Sequence, residues 1–161
     1  MLVKQDATWF YRICRLAIAG FFYLFYRLRV YGDKDHFFLG KAVIAANHVS
    51  FFDPPLVGIA WKEGIHYLAR NTLFKNPIFG AMLRSYNVHP IKQENPSSAI
   101  RLADEMLSKE RKVVIFPQGT RAPEDDLEHT KPGMALIVQK AKCPIIPVYV
   151  HGAYDIWNRH R

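Results

Sequence analysis

The chain has 161 residues, half of them hydrophobic, which predicts one folded domain with a substantial core and argues against intrinsic disorder. Its formal net charge of +8 indicates an anionic partner such as nucleic acid, anionic lipid headgroups or a phosphorylated substrate. Cys14 and Cys143 are the two cysteines and the seven histidines are scattered, so the sequence favours a reducing compartment and argues against disulfides and a metal site.

The N-terminal segment, residues 8–29, mixes aromatic residues with arginines. Its uninterrupted apolar stretch, Leu16–Tyr26, is about half the ~20 residues that a spanning helix needs, and no small-residue cleavage site follows it. This pattern favours a helix in the membrane interface over a core-packed or a spanning helix. The aromatic side chains expected to enter the acyl boundary are Trp9, Phe21, Phe22 and Phe25. We therefore expect residues 1–30 to form a membrane-associating helix and residues 31–161 to form the main domain.

Beyond Gly40, short apolar runs alternate with helical patterns. The predicted strands are 41–46, 65–69, 86–91, 112–116 and 144–150. The predicted helices between them are 53–62, 76–85, 95–110 and 133–141. This alternation predicts an α/β domain with a mostly parallel sheet flanked by helices, and one long loop at 120–133.

Two polar clusters follow predicted strands, the place where sheets of this kind bind ligands. The first is NHVSFFD, Asn47–Asp53, after the first strand, and the second is FPQGTR, Phe116–Arg121, after the fourth strand. Because the carboxyl ends of parallel strands lie at one edge of the sheet, we expect the two loops to form one site.

His48 and Asp53 are the candidate catalytic pair of the first cluster. Five residues along a continuous helix would place them on different faces, so we predict His48 in the loop and Asp53 at the start of the helix that Pro54 and Pro55 open. There the carboxylate can accept one imidazole N–H and leave the other nitrogen basic, able to deprotonate an alcohol that attacks an acyl carbonyl. The alternatives are a plain helix cap at Asp53 and a structural histidine.

The second cluster has features of a ligand-binding loop. Gly119 lets a ligand approach the backbone closely, Thr120 offers a hydroxyl, and Arg121 presents a planar fork that matches phosphate oxygens. The alternative is a surface turn with a solvated arginine.

Taken together and about 70 residues apart, the two clusters closely resemble the glycerolipid acyltransferase family, and within it the 1-acylglycerol-3-phosphate acyltransferases, which make phosphatidic acid. The family blocks are N-H-x4-D and F-P-E-G-T-R, and the family's apolar Pro-Val block and Lys-x-Gly are matched by 145–150 and 131–133. The chain departs from the family at two positions, since Gln118 replaces a Glu and Gln93, preceded by Lys92, replaces an Arg.

The resemblance implies an acyl thioester donor, either acyl carrier protein or coenzyme A, no bound cofactor, and a lysophosphatidic acid acceptor. It implies that His48 is the base and that Asp53 orients it. The residues implied to bind substrate are Gln118, Gly119, Thr120, Arg121 and Lys92, with Arg121 and Lys92 on the acceptor's phosphate. It also implies a position at the cytoplasmic face of the cell membrane, peripheral or N-terminally anchored.

Two other functions share parts of this pattern. The same blocks would serve an acyltransferase acting on another lysolipid, and the charge with the N-terminal helix would suit a non-catalytic basic module that binds membrane. A nucleic-acid partner is not expected, because no basic surface interleaved with aromatic residues is evident beyond residue 30.

Overall fold

The computed structural model describes residues 8–32, 40–92, 95–122 and 130–158. The strands are β1 (Ala42–Ala46), β2 (His66–Arg70), β3 (Val88–Ile91), β4 (Lys112–Ile115) and β5 (Ile145–Val148). The α-helices are α1 (Trp9–Tyr26), α2 (Asp53–Ala60), α3 (Pro77–Ser85), α4 (Pro96–Ser108), α5 (Gly133–Ala141) and α6 (Ala153–Ile156), and a 3₁₀ turn covers Asn71–Phe74.

The five strands form one sheet in the order β3-β2-β4-β1-β5, and every pairing is parallel. β1 lies between β4 and β5, with Val43 opposite Val113 on one side and Ile145 on the other. The carboxyl ends of β1 and β4 are therefore neighbours near the middle of one sheet edge. The α/β architecture expected from the sequence is confirmed.

The sheet is covered by helices on both faces because successive strand residues point to opposite sides. Val43 and Val113 face α4 and α5 and pack with Ala103, Met106, Leu107 and Ile137. Ile44, Val114 and Ile146 face the other way and pack with Val57, Trp61, Ile65 and Tyr67. Strands buried on both faces read as continuous apolar runs, which is why the sequence identified them.

Helix α1 is the outermost layer and lies on α2. Thr8 begins it, because its side chain accepts a hydrogen bond from the Tyr11 backbone N–H at 3.1 Å. Ala19 and Phe22 pack against Ile59 of α2, and Phe22 is only 2% exposed. The prediction that Phe22 enters the acyl boundary is therefore wrong, since Phe22 faces the domain.

The outward face of α1 is apolar and aromatic. Its exposed large side chains are Trp9, Ile13, Leu16, Phe21, Tyr23, Leu24, Phe25 and Tyr26. Across the described ranges, no helix has both the length and the apolarity needed to cross a bilayer.

Two short elements were not predicted from the sequence, the 3₁₀ turn Asn71–Phe74 and α6. Each has four residues, too few to carry a periodic pattern. Helix α4 begins as predicted, with the Asn95 side chain accepting from the Ser98 backbone N–H at 3.3 Å. Most of the predicted loop 120–133, namely residues 123–129, lies outside the described residues.

Candidate active site

The two polar clusters meet at the carboxyl ends of β1 and β4. The His48 backbone N–H donates to the Gln118 side-chain oxygen at 2.9 Å, and the Ala122 backbone N–H donates to the His48 carbonyl at 2.9 Å. The first cluster follows β1 and the second follows β4, and these strands are hydrogen-bonded neighbours. The expectation that the two loops meet at one edge of the sheet is confirmed.

His48 and Asp53 form a hydrogen-bonded pair. The distance from His48 Nδ1 to Asp53 Oδ2 is 2.9 Å, and Asp53 is fully buried as the first residue of α2. The same Oδ2 accepts from the backbone N–H groups of Val49 and Ser50, both at 2.7 Å. Three donors converge on one oxygen, so the carboxylate fixes both the loop and the imidazole.

Asp53 does not act as a helix cap. Its carboxylate bonds the loop that precedes α2, and Phe52 occupies the N-cap position without a side-chain cap. Pro54 and Pro55 lack N–H groups, so the first turn of α2 has fewer donors that need a partner. The side chain is thereby released to hold His48, and the cap alternative is wrong.

The environment of the imidazole defines which nitrogen is basic. An ionised carboxylate only accepts, so the proton of a neutral His48 lies on Nδ1 and the lone pair lies on Nε2. The ring stacks on Phe116 with centroids 4.2 Å apart, and the side chain is 18% exposed. His48 is thus oriented on one side and partly open to solvent, as a general base requires.

The first loop is also tied to the segment that follows β5. The Asn47 amide donates to the Val150 carbonyl at 2.9 Å and accepts from the Val150 N–H at 2.7 Å. The Ser50 hydroxyl donates to the Trp157 carbonyl at 2.7 Å. No sequence pattern assigned a role to Asn47, Ser50 or Trp157. The one sequence feature that could have pointed to Asn47 and Ser50 is their place inside the NHVSFFD cluster.

Gln118 is buried, and its side-chain oxygen accepts the His48 N–H, so it braces the two loops. Gly119 has a φ of +70°, a conformation that glycine adopts without strain, and a Cβ there would lie 3.0 Å from Lys131 Cδ. Thr120 beside it is exposed. The turn therefore depends on Gly119 and leaves the Thr120 hydroxyl accessible.

Arg121 is half-buried over the first loop. Its guanidinium carbon lies 3.5 Å from the centroid of the Phe51 ring, a cation–π contact that holds the charge beside the loop of His48. Lys92 is exposed at the end of β3, three strands from β1 and so about 14 Å along the rim. The structure groups Arg121 with the catalytic pair and leaves Lys92 apart, while Gln93 lies outside the described residues.

A cavity of about 380 Å³ adjoins the two loops. Its lining is Ala45, Ala46, Asn47, Pro117, Gln118, Thr130, Pro147, Val148 and Tyr149. Most of these side chains are apolar, so the cavity suits a hydrocarbon group. Within the described part of the chain, no group of three or more His, Cys, Asp or Glu residues is arranged to hold a metal ion.

Comparisons with known proteins agree with this geometry. A family model described as acyltransferase matches residues 27–151, a range that contains both clusters. The 1-acyl-sn-glycerol-3-phosphate acyltransferase of Bacillus subtilis (strain 168) is 31% identical over 144 residues, which are 88% of this chain and 71% of that protein. The enzyme of the same name from Streptococcus pneumoniae is 37% identical over 113 residues, which are 68% of this chain and 41% of that protein.

A solved structure shares the fold. The crystal structure of the 1-acyl-sn-glycerophosphate (LPA) acyltransferase PlsC from Thermotoga maritima matches with a TM-score of 0.60 and 21% identity. The match covers 94% of this chain and 77% of that one. The parallel sheet and its flanking helices are therefore an architecture that the two chains have in common.

Proposed function

This chain belongs to the acyltransferase family, and we propose that it transfers a fatty acyl group from an acyl thioester to the 2-hydroxyl of 1-acylglycerol 3-phosphate, giving phosphatidic acid. The two relatives described above carry the name of this activity. The observation that carries the proposal is the 2.9 Å bond from His48 Nδ1 to buried Asp53, which leaves Nε2 as a base.

His48 acts as the general base in this reaction. Nε2 takes the proton of the acceptor's 2-hydroxyl as the oxygen attacks the thioester carbonyl carbon. The tetrahedral intermediate then collapses with cleavage of the C–S bond, and the departing thiolate takes the proton back from the imidazolium. Asp53 stabilises the imidazolium, and no covalent acyl-enzyme is required. A base placed in this way contributes about 10²–10⁴ in rate.

Arg121 binds the acceptor's phosphate, and Lys92, which lies apart after β3, contributes a second positive charge to the same rim. A guanidinium matches phosphate oxygens with two parallel hydrogen bonds, and the Phe51 ring beneath it limits the orientations that it can take. Gln118, Gly119 and Thr120 shape the adjoining turn, in which Thr120 is exposed. A phosphorylated acceptor in an anionic bilayer is also consistent with the net charge of +8.

The donor is an acyl thioester of acyl carrier protein or coenzyme A, and the enzyme needs no bound cofactor. The cavity beside Asn47 and Gln118 offers mostly apolar walls to an acyl chain. It adjoins the loops that carry His48, so a chain lying there would bring its carbonyl end towards the base.

The protein acts at the cytoplasmic face of the cell membrane, held peripherally by its N-terminal segment, residues 1–30, while residues 31–161 carry the reaction. The support is the outward face of α1, where eight large apolar or aromatic side chains are exposed. Such a face stabilises a helix in the membrane interface.

Purified full-length protein tests the proposal directly. It is incubated with labelled 1-acylglycerol 3-phosphate in vesicles, with acyl-coenzyme A and acyl carrier protein thioester in separate reactions. We expect labelled phosphatidic acid from at least one donor and at least 10² less from His48→Ala. Lysophosphatidylcholine and lysophosphatidylglycerol, which lack a terminal phosphate, serve as comparison acceptors.

Two results would contradict the proposal. Faster acylation of a comparison acceptor would indicate an acyltransferase for another lysolipid. A folded, vesicle-bound protein that acylates none of the three acceptors with either donor would indicate a non-catalytic membrane-binding module.

A further inference from the structure

A second apolar surface lies on the segment that joins β2 to β3. We name it the α3 surface, and it consists of four exposed side chains, Leu73, Ile78, Phe79 and Met82. Ile78 is 82% exposed, and positions 78, 79 and 82 fall on one side of α3. Exposed apolar side chains grouped in this way mark an interaction site more often than scattered ones do.

The opposite side of α3 is fixed to the domain. Leu83 and Tyr86 pack against the core face that contains Tyr67 and Val88. Gly80 is buried where the helix crosses the 3₁₀ turn, and a Cβ there would lie 3.1 Å from the Phe74 carbonyl. The outward orientation of Ile78 and Met82 therefore follows from how the helix is packed.

The charged residues of the segment that carries the α3 surface have one sign. Residues 64–92 contain no Asp or Glu. The exposed basic residues of this segment are Arg70, Lys75, Arg84 and Lys92. The Arg84 guanidinium lies 5.1 Å from the centroid of Phe74, so one of these charges is held directly beside the 3₁₀ turn. An apolar patch on a segment whose charged residues are all basic is complementary to anionic lipid.

The α3 surface lies on the same side of the molecule as α1. Tyr11 of α1 stacks on Tyr86 at the end of α3, with ring centroids 4.6 Å apart. At the other end of α1, Phe22 packs on Phe52 of the catalytic loop at 5.2 Å. The 3₁₀ turn directly follows the carboxyl end of β2, on the edge of the sheet where His48 lies.

We propose that the α3 surface is a second lipid contact, which enters the interface of an anionic bilayer beside α1. The edge of the sheet that carries His48 would then be held at the membrane surface by two lipid contacts, α1 and the α3 surface. The purpose of this contact rests on the proposed function, because an acceptor embedded in lipid must reach His48 from the membrane side.

Vesicle binding by the full-length protein tests the inference without any substrate. Ile78→Glu should lower the partition coefficient on phosphatidylglycerol-containing vesicles about tenfold, since an apolar contact is lost and a like charge faces the lipid. Leu136→Glu, at a 50% exposed position of α5 on the opposite helical layer, is the matched control and should bind as wild type does. Lys75→Glu should weaken binding at low salt and have little effect at high salt.

Thermal unfolding of each variant verifies that it is folded, which is expected because Ile78 is almost fully exposed. Equal binding by Ile78→Glu, Leu136→Glu and wild type would overturn the inference. So would normal vesicle binding by Ile78→Glu combined with a raised KM for an acidic carrier-protein donor, since the surface would then dock a protein. A wild-type chain that makes no phosphatidic acid but loses vesicle binding through Ile78→Glu would refute the proposed function and support the lipid contact.

Discussion

The two ends of the sheet each contain a buried pair of titratable side chains, and the two pairs serve different purposes. At the carboxyl end, Asp53 holds His48, whose side chain remains partly exposed. At the amino end, the ammonium of Lys112, the first residue of β4, bonds the Glu63 carboxylate and is buried. The imidazole keeps a second nitrogen for chemistry, whereas the ammonium is enclosed by the fold. Each pair has one partly exposed partner, His48 at 18% and Glu63 at 25%, so the difference lies in chemistry: the exposed imidazole has a second ring nitrogen beyond the bonded one, and the buried ammonium of the other pair does not reach solvent.

The surroundings of the pairs reinforce this difference. The His48 loop is held by buried polar contacts, in which its own backbone N–H groups donate to the Asp53 carboxylate and to the Gln118 side-chain oxygen. Stacked tyrosines lie towards the amino end, where the ring centroids of Tyr67 and Tyr86 are 6.0 Å apart. Burial raises the pKa of Tyr67 well above its usual value. Tyr67 therefore stays neutral and donates its hydroxyl to the Pro54 carbonyl at 2.9 Å. Polar contacts therefore surround the pair at the carboxyl end, and aromatic packing extends from the amino end to the start of α2.

Removing the base should have the largest effect. His48→Ala should lower kcat by at least 10² with only a small change in melting temperature, because the Asp53 carboxylate keeps its bonds from the backbone N–H groups of Val49 and Ser50. Asp53→Asn should also lower kcat, since an amide does not stabilise the imidazolium. Near wild-type turnover by folded His48→Ala would remove the base assignment.

Breaking the Lys112–Glu63 pair should lower stability and leave kcat unchanged, the reverse of what is expected for His48→Ala. Lys112→Ala leaves the Glu63 carboxylate without its ammonium partner and should cost about 2–4 kcal/mol in the free energy of unfolding, measured by urea denaturation. The folded fraction should retain normal kcat. The matched control is Lys109→Ala, which breaks an exposed pair with Glu105 and should leave the free energy of unfolding almost unchanged. Equal costs for the two variants would contradict a buried structural pair.

The Arg121→Ala variant distinguishes a role of Arg121 in binding the acceptor from a role in loop packing. The acceptor KM should rise by roughly 10- to 150-fold, the range of a charge-assisted contact, while the thioester KM changes little. Arg121→Lys keeps the charge but loses the planar fork that stacks on Phe51, so it should give an intermediate value. A similar rise in both KM values would assign Arg121 to loop packing.

Gln118→Glu tests the position at which this chain departs from its family. A carboxylate at the same reach would accept the His48 N–H more strongly, so we expect kcat to be kept or raised by up to roughly tenfold. Gln118→Ala, which leaves that N–H without this acceptor, is the control and should lower activity. A gain of 10³ or more with Glu would mean that Gln118 disables the native site, and a loss would mean that the acceptor binds elsewhere.

The smallest expected effect is on the pH dependence of stability, and it concerns His89 near the amino end of the sheet. Burial, with a contribution from Arg111, lowers the pKa of His89 from its usual 6.5. Below pH 6.5 the unfolded chain then binds more protons than the native state does, so stability falls on acidification and is fully present above that pH. His89→Gln should flatten the melting temperature between about pH 5 and pH 7. His151→Gln, at an exposed position, should leave the curve unchanged.

The sequence by itself determined the architecture and the pairing of His48 with Asp53. Central strands covered on both faces must be apolar throughout, so their runs were visible, and a parallel sheet brings both loops to one edge. The spacing of His48 and Asp53, followed by two prolines, also fixed their local arrangement. These features depend on neighbouring residues along the chain.

Only the tertiary structure shows which groups the polar side chains of the candidate site bind. Gln118 reaches a backbone N–H 70 residues away, Asn47 pairs with a residue 103 positions later, and Lys112 is buried against Glu63. Helix α1 is apolar on most of its surface, so its own pattern did not indicate that Phe22 faces α2. Contacts between distant segments follow from how strands and helices pack, and local periodicity carries no record of them.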